Sequence, residues 1–185
     1  MSEILYLIRH ATPDWNRTDI PYFSPPGPPL TEKGLEEAEM LANFFQYIDL
    51  KCIYSSPLER CLSTANVIAQ KTNSPLIIEP GLAEHRPDEL RAEVQKRLMT
   101  VFDRAIHESH EGPVALVTHG SPIEILLEKM GLSPVELSDL KEGFDHRNPA
   151  PPAGVWEAVR SADDWSLSLV LNPQNARTEN LYGRI

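Results

Sequence analysis

The stretch Ile4-Leu5-Tyr6-Leu7-Ile8-Arg9-His10 decides the fold. An unbroken apolar run of this length fits a strand buried on both faces, as in a parallel sheet covered by helices. The run stops at Arg9 and His10, which puts two polar side chains at the carboxyl end of the strand. In open parallel sheets, ligands bind at that edge.

Downstream, strand-like and helix-like segments alternate. Residues 11–29 hold six prolines (13, 21, 25, 26, 28 and 29), which exclude both helix and inner strand. Thr31 reads as an N-cap with Leu30 and Leu35 in hydrophobic-staple positions. Leu35, Ala38, Leu41, Ala42, Phe45 and Ile48 then recur at helical spacing. Residues 51–54 predict a second strand, and Ser56-Pro57-Leu58-Glu59 reads as a capping box with proline at the first helical position. Leu58, Cys61, Leu62, Ala65 and Ile68 form that helix's apolar stripe.

Residues 75–78 predict a third strand, leading through Pro80-Gly81 to Leu82-Ala83-Glu84-His85. A helix over about 88–109 carries Leu90, Val94, Leu98, Val101 and Ala105. A fourth strand at 114–118 is broken by His119-Gly120, and Ser121-Pro122-Ile123-Glu124 repeats the capping box before a helix to about residue 130. Beyond Gly131 the pattern weakens, until two strands at 155–160 and 165–171 flank a turn at 162–164. The expectation is one α/β domain over residues 1–185. It is a three-layer sandwich, with a mostly parallel central sheet and helices on both faces.

Composition narrows the chemistry. Seventeen basic against 27 acidic residues give a formal charge of −10, which argues against a nucleic-acid partner. A few arginines in one cleft still suffice for a small phosphorylated molecule. Cys52 and Cys61 are too few for a disulfide framework or a thiolate zinc site. The first apolar stretch is too short for a signal-peptide core, and no run reaches membrane-spanning length. The reading is a soluble, cytoplasmic protein with no membrane partner; oligomeric state stays open.

Next, the residues just past each predicted strand end converge. The first strand supplies Arg9 and His10, the second Ser55 and Ser56 and then Arg60, the third Glu84, and the fourth His119-Gly120. Two histidines, two arginines and a carboxylate on one sheet edge suit phosphoryl transfer, where catalysis is mainly positioning and charge stabilisation. Arginine binds phosphate oxygens as a planar fork. A neutral imidazole attacks phosphorus when its other nitrogen is held as a donor. A carboxyl group protonates the leaving oxygen. The N-terminus of the following helix points N–H groups at bound phosphate.

The ordered set Leu7-Ile8-Arg9-His10-Ala11-Thr12-Pro13-Asp14-Trp15-Asn16, Pro29-Leu30-Thr31-Glu32-Lys33-Gly34, Tyr54-Ser55-Ser56-Pro57-Leu58-Glu59-Arg60 with Thr64-Ala65, and Val117-Thr118-His119-Gly120 resembles the histidine phosphatase (phosphoglycerate mutase-like) superfamily. The resemblance implies His10 as the phosphorylated nucleophile. It implies Arg9, Arg60 and His119 as the phosphate clamp, Asn16 and Gly120 as lesser phosphate contacts, and Glu84 as the acid and later base. Neither metal nor cofactor is implied, and the substrate would be a small phosphomonoester or a phosphorylated protein side chain. Ala11 stands where the family favours glycine, and Pro13 replaces a hydroxyl. The segment capping the mutase pocket is largely missing after Glu84. That favours phosphatase over phosphoglycerate mutase-type phosphotransferase, with a non-catalytic phospho-ligand-binding module as a third reading.

Other residues have duller explanations. Asp88 and Glu89 are the alternative acids, and His85 and Arg86 are candidates to touch substrate. His107 and His110 read as a solvated helix end rather than a metal pair, and His146 supports no inference. Trp15, Trp156 and Trp165 read as packing residues. A cysteine phosphatase needs arginine six positions after its thiol, but Leu58 and Val67 stand there.

Overall fold

The structure, a computed structural model, describes residues 3–144, 148–162 and 164–174. Strand β1 (Glu3–Arg9) carries the apolar run and is buried from Leu5 onward. Its side chains alternate between two cores. Leu5 and Leu7 face one cluster, Tyr6 and Ile8 the other. That two-sided burial is why the run is continuous rather than alternating.

Six strands form one sheet in the order β3-β2-β4-β1-β5-β6. Strands β2 (Cys52–Ser55), β3 (Leu76–Ile78) and β4 (Val114–Thr118) join β1 through parallel pairings. Strands β5 (Val155–Ser161) and β6 (Asp164–Leu171) add an antiparallel edge, so the sheet is mixed. Helices α1 (Glu32–Phe45) and α2 (Glu59–Thr72) cover one face. Helices α3 (Arg91–Ser109), α4 (Gly120–Lys129) and α5 (Pro134–Glu142) cover the other.

Several local expectations change. Thr31 does cap α1, accepting from the Gly34 N–H at 3.0 Å, but Leu35 is half exposed. The Ser56 and Ser121 boxes do not form as caps: α2 follows Leu58 and α4 follows His119, neither with a side-chain cap. The serine–proline–glutamate box that does form is Ser133-Pro134-Val135-Glu136, at the start of α5, a helix the weak pattern after Gly131 concealed. Leu90 stands before α3 and is exposed, because the helix begins one residue later. Asp163, His146 and the tail from residue 175 lie outside the described residues.

Close packing ties α1 to the loop after β1. A Cβ on Gly34 would sit 2.2 Å from the Thr12 carbonyl oxygen, a backbone atom that cannot move aside cheaply. Thr31 grips the same carbonyl through both its N–H and its hydroxyl, each at 3.1 Å. Gly34→Ala therefore should lower stability by about 1–3 kcal/mol through overpacking, read as a shifted urea midpoint. An unchanged midpoint would show that the loop yields freely.

Candidate active site

Strand register assembles the site. Arg9 pairs with Thr118 across β1 and β4, so His10 and His119, one residue beyond each, stand side by side. Their ring centroids are 5.1 Å apart. Ser55 pairs with Val117 across β2 and β4, which brings Ser56 against His119 from the other side. Arg9, His10, Arg60 and His119 are all buried.

The His10 ring is oriented by its own loop. Nδ1 donates to the Ala11 carbonyl at 2.8 Å, so the proton sits there and Nε2 keeps its lone pair. Ala11 has no positive φ, and its loop is tied down by more distant side chains. Its N–H donates to Thr64 Oγ1 at 3.1 Å, and Thr12 donates through N–H and hydroxyl to the buried Glu37 carboxylate at 2.7 and 3.0 Å. Burial first, then the charges of Arg60 and Arg9, hold the His10 imidazole well below its ordinary pKa. The ring therefore stays neutral, with a free lone pair on Nε2, through the mildly acidic range.

Arg60 opens α2 fully buried. Its Nη1 donates to the Tyr22 carbonyl at 3.1 Å, and its guanidinium carbon lies 4.1 Å from the Tyr22 ring centroid. The Nε and Nη2 of Arg60 find no hydrogen-bond partner among the described residues. Buried guanidinium donors without acceptors are costly unless a ligand supplies oxygens. Arg9 is anchored by Nη1 to the Ala150 carbonyl at 2.9 Å.

His119 is held neutral mainly by burial, reinforced by Arg60, His10 and Arg9. Its Nε2 lies 2.8 Å from Ser56 Oγ and its Nδ1 3.9 Å from Glu84 Oε2. Burial raises the Glu84 carboxyl pKa, against the opposing pull of the His85 N–H, Arg60, Arg9 and the Ser121 hydroxyl. Arg97 clips the Glu84 segment by donating to the Gly81, Ala83 and Glu84 carbonyls.

A cavity of about 320 Å³ gathers Arg9, His10 and Glu84 with His85, Gly120, Ser121 and Asn148, under Trp15, Tyr22 and Phe23. Of the two alternative acids, Asp88 is exposed beside Arg86, and Glu89 is ion-paired with Arg97 at 2.7 Å. Neither lines the cavity. Asn16 is exposed and is not among the residues lining the cavity, its N–H donating to the Asp14 side chain. Arg86 also points outward, whereas His85 lines the wall with Nε2 donating to the Glu89 carbonyl.

Trp15 corrects the packing reading. It is 43% exposed at the cavity rim and stacks on Tyr22, with centroids 5.3 Å apart. Trp156 is indeed buried. Asn148 escaped the sequence reading because it lies in a Pro/Ala/Gly loop without periodicity. A Cβ on Gly120 would land 1.5 Å from Asn148 Oδ1, so a larger residue there requires the Asn148 side chain to move. His107 and His110 are both exposed, and among the described residues no group of three His, Cys, Asp or Glu is placed to hold a metal ion.

The histidine phosphatase superfamily (branch 1) profile matches residues 5–90 and 85–148, spanning every residue of this cluster. The chain belongs to the histidine phosphatase superfamily. A 2,3-bisphosphoglycerate-dependent phosphoglycerate mutase of Thermoplasma acidophilum is 30% identical over 145 residues, 65% of this chain and 72% of that protein. Phosphoserine phosphatase 1 of Hydrogenobacter thermophilus is 35% identical over 111 residues, 58% of this chain and about half (52%) of that relative. A mycobacterial glucosyl-3-phosphoglycerate phosphatase superposes with a TM-score of 0.72 at 19% identity, covering 91% of this chain and 98% of that one. A phosphoglycerate mutase from Bacillus anthracis does so with a TM-score of 0.72 at 18% identity, covering 91% and 92%. The superpositions establish the shared fold, and the family match makes this histidine phosphatase an enzyme of phosphoryl transfer.

Proposed function

We propose that this histidine phosphatase hydrolyses small phosphomonoesters by double displacement through a phosphohistidine at His10. The carrying observation is the buried pairing of a neutral His10, Nε2 unprotonated, with the Arg60 donors that lack acceptors among the described residues. Arg9, His119 and the α4 N-terminus at Gly120 complete a clamp for phosphoryl oxygens. His10 Nε2 attacks phosphorus in line while the P–O bond to the leaving group breaks. Glu84 gives its proton to that oxygen. In the second step the Glu84 carboxylate takes a proton from water, whose oxygen attacks phosphorus, and the P–N bond breaks to release inorganic phosphate and free His10.

Hydrolysis is favoured over transfer by the short path after Glu84. Residues 85–90 alone separate it from α3, leaving no room for a capping insertion. The aromatic wall of Trp15, Tyr22 and Phe23 suits an apolar or flat leaving group. The free buried thiols Cys52 and Cys61 accord with a reducing, cytoplasmic setting. No helix among the described residues is long and apolar enough to cross a membrane. A single-turnover experiment tests the assignment. The phosphoenzyme should lose its phosphate to water faster than to a phosphoglycerate acceptor, and preferential transfer to the acceptor would make the protein a mutase.

A further inference from the structure

We propose that Ser56 is a positioning residue that fixes the His119 tautomer, keeping the ring proton on Nδ1 where it faces the phosphoryl site. This rests on the double-displacement reading for its effect on turnover, but not for the tautomer itself.

The hydroxyl of Ser56 is not spent where its sequence context suggests. Of three serine–proline–x–glutamate segments, only that at Ser133 uses its serine as a helix cap, accepting from the Glu136 N–H. At α2 the chain forgoes a side-chain cap, and Ser56 Oγ sits 2.8 Å from His119 Nε2. The main chain aids this placement: the Ser56 N–H donates to the Val117 carbonyl at 3.0 Å, so the serine lies beside the end of β4.

Two proton arrangements compete at the fully buried His119 ring. In the first, Ser56 O–H donates to Nε2, and Nδ1–H lies on the side of Glu84, whose Oε2 is 3.9 Å away and which lines the cavity. The Ser56 oxygen then still accepts weakly from the Leu58 N–H at 3.4 Å. In the second, Nε2–H donates to Ser56. The serine proton is then left with the Cys61 sulfur, and the Nδ1 lone pair would face the oxygens of a bound phosphoryl group. Sulfur is a weak acceptor, and a lone pair facing phosphoryl oxygens is repelled where an N–H would donate to them. Cys61 also lies 3.6 Å from the Thr118 carbonyl, which takes the thiol proton, and burial pushes that thiol up to about 12, so it does not exchange the proton with His119. The first arrangement gives the serine proton a nitrogen acceptor and leaves the Nδ1–H, 3.8 Å from the Cys61 sulfur, available to a phosphoryl oxygen.

The ring thereby becomes a neutral donor to the transferred phosphoryl group, alongside the charged Arg60. Without Ser56, Nε2 loses its fixed partner and the two tautomers mix. Ser56→Ala should lower kcat on p-nitrophenyl phosphate on the order of 10–100-fold and change KM less than about threefold, because the lost donor acts chiefly on transition-state charge. Ser56→Thr, which keeps the hydroxyl, should recover most of kcat. Nitrogen-15 histidine spectra read the tautomer directly. Wild-type His119 should carry its proton on Nδ1, and Ser56→Ala should show proton on Nε2 in part or whole. A wild-type ring protonated on Nε2 overturns the proposal even if Ser56→Ala fails to fold. A folded Ser56→Ala protein with wild-type kcat or an unmoved tautomer overturns it as well. Loss of activity in every variant, wild type included, together with an Nδ1–H spectrum, would instead sink the phosphatase reading and leave the tautomer assignment standing.

Discussion

His10→Ala should leave a folded protein that hydrolyses p-nitrophenyl phosphate at least about 10³-fold more slowly, with no acid-labile phosphoenzyme. The size of the loss follows from the role: without Nε2 there is no covalent path, and water would have to attack a phosphorus held by the clamp alone. Chelator should leave the wild-type rate unchanged. The fold should survive, since His10 makes one side-chain hydrogen bond, to the Ala11 carbonyl. Its acid stability should improve. The folded-state pKa of His10 is depressed, so between that value and the unfolded value near 6.5 the unfolded chain binds the extra proton. Stability therefore falls as pH drops below about 6.5, and alanine removes one such contribution. Full activity in the alanine variant, or activity abolished by chelator, would refute a histidine nucleophile.

Glu84→Gln should cost about 10²–10⁴-fold in kcat on an alkyl phosphate, whose leaving oxygen needs a proton. The loss should be smaller for the first step on p-nitrophenyl phosphate, whose leaving group departs unprotonated. Phosphoenzyme should then accumulate with a burst of nitrophenol, because the water step also lacks its base. The pH profile follows from two opposite shifts. His10 stays unprotonated well below its ordinary value, while burial raises Glu84, so the active ionisation pair is most populated between the lowered His10 pKa and the raised Glu84 pKa. Activity should decline as pH rises through the Glu84 pKa, and glutamine should flatten that alkaline limb. A raised folded-state pKa also means that ionised Glu84 disfavours the fold above it, so Glu84→Gln should be as stable as wild type or more so at pH 7. An unchanged alkaline limb with wild-type kcat would move the acid role to another group.

The double burial of β1, the cap at Thr31 and the Ala38, Leu41, Ala42 and Phe45 part of the α1 stripe are one-dimensional signals, read from spacing and found in place, while Leu35 at its start is exposed. So is the arrival of Arg9, His10, Arg60, Glu84 and His119 at strand and helix ends, because the carboxyl edge of a parallel sheet gathers whatever follows each strand. Other features depend on contacts between distant segments. The Ser56 and Ser121 boxes look identical to the one at Ser133, yet neither acts as a cap. Strand register places Ser56 beside His119, and Ser121 meets Glu84, where a buried polar partner outweighs a cap. Asn148 reaches Gly120 from a loop with no period, and Trp15 becomes part of the cavity rim by stacking on Tyr22. The sequence by itself determined which side chains arrive at the sheet edge beginning with Arg9-His10. Tertiary structure alone decided the Arg60 donors, the tether of Ala11 through Thr64 and Thr12 through Glu37, and the Ser56–His119 pair. Those depend on distances between residues far apart in the chain, which register and packing set and local pattern does not encode.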